Sequence, residues 1–195
     1  MRDQPEPKGW TPIQDAQNAA SLLMLVAQSL AAPIEVFLRT RFGRRYFGVP
    51  AAIGLFAVPM WMLLWPEEDP MPILVFWLLY LVMQLRARIE SIVLAAKSEP
   101  AHTRYNGYPR LAKFFKKSDE RKIKASAEPM LVIVVGAGML AVSGPLGSYL
   151  ITAGVCLALV ASVIESVERN RALSMRDAWI EQEQMAARFR EMQDR

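Results

Sequence analysis

Four apolar stretches without a charged side chain punctuate the sequence, at residues 46–65, 71–85, 129–142 and 146–164. As helices the first and last rise about 30 Å and about 28 Å, close to the roughly 30 Å of a bilayer's hydrocarbon core, so each is long enough to span. The turn joining the first two, Pro66-Glu67-Glu68-Asp69-Pro70, carries only acids, and the turn joining the last two, Ser143-Gly144-Pro145, carries no charge. This pattern predicts two transmembrane helical hairpins, four spans in all. Pro50 and Pro59 fall within the first span, where neighbouring helices satisfy the carbonyls that proline leaves free. Trp61 and Trp65 near its outer end suit the aromatic belt of the lipid boundary. The stretch 129–142 rises only about 21 Å, and must thin the bilayer, extend upstream past Glu128, or re-enter without crossing. Crossing keeps the charged tail on the same side as the central loop.

The flanking segments are also helical in pattern. From residue 13 to 38, Gln14, Asn18, Ser21, Gln28 and Glu35 recur along one side, with Leu22, Leu23, Val26, Leu30, Ile34 and Phe37 on the other. The reading is an amphipathic helix lying on the cytosolic surface, polar stripe to water, kinked at Pro33. Its alternative is a fifth span whose polar stripe faces other helices. Helical spacing continues beyond the second hydrophobic stretch through residues 86–94 and stops before Pro100. The tail, residues 165–195, reads as a long exposed helix, with Glu165 above Arg169 and Glu191 above Arg195. Ala172, Met175, Trp179, Ala186 and Phe189 lie near one heptad seam, which makes Met175, Trp179 and Phe189 the expected partner-binding residues. The chain thus divides into a cytosolic lead with an interfacial helix (1–45), a first hairpin (46–85), a basic cytosolic loop (86–128), a second hairpin (129–164) and a cytosolic helical tail (165–195).

Charge orients this arrangement. Arg39, Arg41, Arg44, Arg45, Arg86, Arg88, the cluster from 104 to 124, and Arg169, Arg171 and Arg176 fall on one side of the hairpins. Cytoplasmic loops retain Lys and Arg, so both outer turns face out and both termini are expected in the cytosol, with the protein integral to the plasma (inner) membrane. The net charge of +4 then measures a basic inner face opposed to an acidic outer turn, which favours anionic lipid head groups as partners over nucleic acid. Arg110, Lys113, Lys116 and Lys117, with Phe114 and Phe115 as apolar anchors, are the expected membrane-surface residues.

Reactive chemistry is sparse. Cys156 is the only cysteine and lies inside an apolar span, so an intrachain disulfide and a cysteine-rich metal site are excluded. His102 is the only histidine, and no nucleophile beside a base or paired carboxylate stands out; no catalytic, cofactor or metal site is expected. Gly136-Ala137-Gly138 sits inside a span, so Gly136 and Gly138 are read as helix-packing positions, as are Gly154, Ala158 and Ser162 four residues apart on the last span. Residues 1–12 lack the apolar core of a cleavable signal peptide. Only Gln28 and Glu35, were the first helix to span, would support a small channel or transporter. An interfacial lipid-modifying enzyme would need His102, Arg104, Tyr105, Asn106 and Tyr108 to converge with acids. The expectation is therefore an all-α membrane protein, a non-enzymatic subunit or scaffold of a larger envelope or secretion-type assembly, partnered by other subunits or further copies of itself.

Overall fold

The computed structural model describes residues 12–43, 46, 48–96, 105–115 and 119–193, and they are mostly helical. Helix α1 (Pro12–Leu38) starts on a proline, whose missing N–H costs nothing in a first turn, and carries Asp15 at its positive end. A two-residue strand β1 (Arg39–Thr40) follows. Helix α2 (Val49–Trp61) has Pro50 in its first turn and tightens into a 3₁₀ turn at Met62–Leu64. Helix α3 (Met71–Ala96) is capped by Asp69, whose Oδ1 accepts from the Met71 N–H at 3.0 Å, and it runs well past Leu85. Strand β2 (Tyr108–Pro109) pairs antiparallel with β1. Short helix α4 (Glu120–Lys122), a π turn (Ile123–Ala127) and helix α5 (Glu128–Met139) form one uninterrupted run. Helix α6 (Gly144–Gln193) extends over 50 residues, about 75 Å.

Three helical segments, Asp15–Leu38, Met71–Leu94 and Gly144–Arg190, are long and apolar enough to cross a membrane. Large apolar side chains such as Val75, Leu78 and Val82 on α3 and Met130 and Val134 on α5 are exposed, the surface a bilayer would cover. Helices α2 and α5 are shorter, at 13 and 12 residues. The stretch that was too short to span as residues 129–142 is prolonged on its basic side by residues 120–128, roughly 13 Å of further helical path.

The N-terminal helix, expected to lie on the surface, is itself long and apolar enough to cross a membrane. Its polar stripe is split: Asn18 and Ser21 are exposed, whereas Gln28 is half-buried and Glu35 only 4% exposed, and on the apolar side Leu22, Leu23 and Val26 are exposed while Ile34 is buried. The second half of α1 packs between α2 and α6. Pro33 has no N–H to offer the Ser29 carbonyl, and Gly54 of α2 comes so close to that oxygen that a Cβ there would lie 2.6 Å away. The Tyr149 hydroxyl of α6 donates to the Leu30 carbonyl at 3.0 Å. Pro59 in the same way frees the Leu55 carbonyl, which accepts the Trp77 indole N–H at 2.9 Å. The Trp77 bond thus satisfies, from a neighbouring helix, the carbonyl that Pro59 frees.

The core is built of Ile34, Val58, Ile73, Val132, Tyr149, Leu150 and Ala153, with a second cluster of Val36, Phe42, Ala51, Tyr80 and Ala87 towards the basic end. At the acidic end the Glu68 carboxylate accepts from the Gly144 N–H at 3.0 Å, so the first hairpin's turn caps the N-terminus of α6. Gly136 and Gly154 lie where α5 and α6 touch, each with a neighbour that an added Cβ would approach within 2.9 Å. Gly138 does not belong to that contact: nothing lies within 4 Å of a Cβ placed there, because its turn of α5 faces outward. Ala158 is half-buried, and Ser162 is exposed with its hydroxyl bonded back to the Leu159 carbonyl, so the small-residue stripe leaves the α5 contact after Gly154.

Candidate functional site

The polar interior is assembled from three segments far apart in sequence. Glu35 lies in the last turn of α1 and Arg39 four residues on opens β1, with its guanidinium 2% exposed. Its Nη1 donates to Glu35 Oε1 at 2.9 Å, and its Nε and Nη2 lie 2.8 and 2.7 Å from Glu128 Oε2. Glu128 opens α5 and is completely buried. Burial works against the charge on Arg39, but the carboxylates of Glu35 and Glu128 outweigh it and hold the guanidinium further above its ordinary value.

The central loop closes over this triad because β1 and β2 pair Arg39 with Pro109 and Thr40 with Tyr108. The reversal depends on Gly107, whose φ of 84° suits glycine, and a Cβ there would meet the Phe42 ring at 2.9 Å. The Gly43 N–H donates to the Tyr105 carbonyl at 2.8 Å, and Arg39 Nη1 reaches the Asn106 carbonyl at 3.3 Å. Lys124, on the π turn, donates from Nζ to Asn106 Oδ1 at 2.8 Å and to Glu120 Oε1 at 2.6 Å, and lies 4.6 Å from the Tyr105 ring centre. The Tyr105 hydroxyl also donates to Glu120 Oε1, at 2.6 Å. Burial, with Arg39 nearby, pulls the Lys124 ammonium below its usual value against the pull of Glu120. Burial pushes the Glu120 carboxyl up, yet the hydrogen bonds from Lys124 and Tyr105 bring it below the usual carboxylate value. The Tyr105 phenol is raised by burial and by its bond to Glu120, so it stays a donor.

A cavity of about 900 Å³ opens beside this network, between α1, α2, α6 and the loop. One side is polar, with Glu35, Arg39, Glu120 and Lys124. The wall contributed by α6 is apolar, with Leu157, Val160, Ala161 and Ile164. Gln28 lines it too, one heptad before Glu35 and so about 10 Å deeper along α1. Gln28 and Glu35 therefore do face a polar cavity between helices.

Of the residues an interfacial enzyme would need, Tyr105 and Asn106 join the charged cluster, Tyr108 is exposed on β2, and His102 and Arg104 lie outside the described residues. Among the described residues no group of three or more His, Cys, Asp or Glu side chains is placed to hold a metal ion. On the expected membrane surface, Lys113, Phe114 and Phe115 are exposed, Arg110 is half-buried, and Lys116 and Lys117 lie outside the described residues. On the tail, Met175, Trp179 and Phe189 are each more than 60% exposed. Sequence reasoning passed over Glu120, Lys124 and Glu128, which recur every four residues and so share one face of the helix that leads into α5. Comparison with known protein families, curated proteins and solved structures finds no match.

Proposed function

We propose that the protein is an integral membrane subunit that anchors a rigid cytosolic helix and presents it to a protein partner. One observation carries this reading: α6 is a single helix whose first third is core, with Tyr149, Ala153 and Leu157 at 0% exposure, and whose remainder stands exposed with Met175, Trp179 and Phe189 uncovered. A solitary protein gains nothing from holding roughly 42 Å of helix with large apolar side chains in water. The basic segments lie in the cytosol and the outer turns outside. The inward Gln28 and Glu35 and the outward Leu22 and Leu23 of α1 favour a fifth membrane helix over a surface-lying one, which places residue 1 outside. The test is cross-linking and affinity purification in mild detergent of the full chain and of a chain truncated after Arg169. The truncated protein should reach the membrane at undiminished level and lose its stoichiometric partners; retained partners would refute the assignment.

A second reading, a small transporter or channel, draws support from the cavity that Gln28 and Glu35 line. Reconstituted vesicles would separate the two, since a scaffold moves no solute.

A further inference from the structure

We infer that the cavity between α1, α2 and α6 is a binding site for a primary-amine amphiphile, its ammonium received by Glu35 and its apolar body laid along the α6 wall. Glu35 is 4% exposed and lines the cavity, yet among the described residues hydrogen bonds reach only one of its oxygens, Oε1. Deeper on the same face the half-buried Gln28 side chain has no hydrogen-bond partner among the described residues, so the cavity holds a second unused polar group. Acceptors without a protein donor on a cavity wall offer a place for one, and a charged donor gives the strongest bond.

Charge selects the sign of the ligand. Among the described residues three cations line the cavity, and each has a carboxylate partner: Arg39 has Glu35 and Glu128, Lys124 has Glu120, and Arg121 has Glu168 in an exposed pair at 3.4 Å. Asp119 and Glu165 line it as well without an ion pair among the described residues, which contribute five carboxylates and three cations to the lining. An anionic head would meet occupied donors in a negative field, whereas an ammonium meets free acceptors. Leu157, Val160, Ala161 and Ile164 supply the surface for an alkyl chain, and about 900 Å³ lies within the range of ordinary small-molecule sites. A primary amine fits better than a quaternary one because its N–H groups reach the carboxylate oxygen directly. Neither tail docking nor transport is required for the site, and truncation after Arg169 removes none of the residues named for it.

The test uses the purified full chain in a nonionic maltoside detergent, read by native mass spectrometry and by thermal midpoint. Dodecylamine should be retained as an adduct and raise the midpoint, while dodecanol and dodecyl phosphate should do neither. Ala161→Phe fills the apolar wall without touching an ion pair, and Glu35→Gln keeps an oxygen for Arg39 while removing the charge. Each should weaken dodecylamine binding tenfold or more, with Ala161→Leu as the substitute wall variant if the phenylalanine prevents folding. Competition by dioleoylphosphatidylethanolamine, but not by dioleoylphosphatidylglycerol, identifies the ligand as a membrane lipid. Dodecylamine binding without that competition identifies a soluble amine. Equal binding of dodecanol, preference for dodecyl phosphate, or binding unchanged in both Glu35→Gln and the folded wall variant would overturn the site.

Discussion

Replacing Arg39 with methionine should be among the most damaging single changes available to this chain. The guanidinium is 2% exposed and ties α1 to the start of α5 through Glu35 and Glu128, themselves 4% and 0% exposed. Methionine matches much of its length but leaves two carboxylates buried without a counter-charge. Breaking a buried pair in this way costs about 3–5 kcal/mol, because the stranded charge keeps its desolvation penalty and loses its partner. One of the two acids escapes by taking a proton, which keeps the loss inside that range instead of doubling it. At about 2–4 °C per kcal/mol for a chain of this size, the midpoint should fall by between about 6 and 20 °C. Thermal unfolding in detergent, followed by the fluorescence of the five tryptophans, reads this directly. Arg39→Lys should fall between the two, since an ammonium lacks the fork that reaches both carboxylates. The triple variant Arg39→Met, Glu35→Leu, Glu128→Leu should recover the wild-type midpoint or exceed it, because an apolar core has no stranded charge. A drop of less than about 2 °C for Arg39→Met, or a triple variant no better than the single one, would refute the reasoning.

Other outcomes follow from the same geometry. Reporter fusions at residue 1 and at residue 195 should lie on opposite sides of the membrane, with the Glu67-Glu68 turn on the side of residue 1; agreement between the two termini would return α1 to the surface. A peptide of residues 105–124 should bind anionic vesicles and release as salt rises, each surface cation contributing about 1 kcal/mol, and Gln at Arg110, Lys113, Lys116 and Lys117 should abolish the effect. Binding to neutral vesicles at equal strength would make the cluster a topology signal instead. Glu120 lies below its ordinary value of 4.5 when folded, so its stabilising contribution is complete above pH 4.5 and is lost as pH falls through the lower folded value. The thermal midpoint of the wild type should therefore decline in that window more steeply than that of Glu120→Gln, and parallel curves would show that Glu120 adds nothing.

The hydrophobic pattern made the helices legible, because an uncharged run of apolar residues has few ways to exist other than as a buried or lipid-covered helix. All four apolar stretches lie mainly within helices, and the acids at 67–69 do mark a turn. The polar network was illegible for a definite reason. Arg39 meets Glu128 across a separation of 89 residues, and no local spacing encodes such a pairing. Glu128 and Lys124 looked like the end of a span because charge ordinarily ends one; here each is buried with a partner. Amphipathicity in α1 identified a polar face but left open whether water or other side chains would meet it; at Glu35 it is the Arg39 guanidinium that does. Met175, Trp179 and Phe189, read as one seam of the tail, are all exposed, while Gly138 looked like Gly136 in sequence and differs by facing the other way.

The continuity of α6 makes it a lever. Leu157 is held at 0% exposure inside the bundle, and Phe189 lies 32 residues further along the same helix, about 48 Å away. A tilt of about 5° at the buried end, small enough to come from a slight repacking against the cavity wall, carries the far end through about 4 Å. A partner gripping Met175 and Trp179, if one binds there as proposed, would feel repacking in the bundle as displacement, with the bundle as fulcrum.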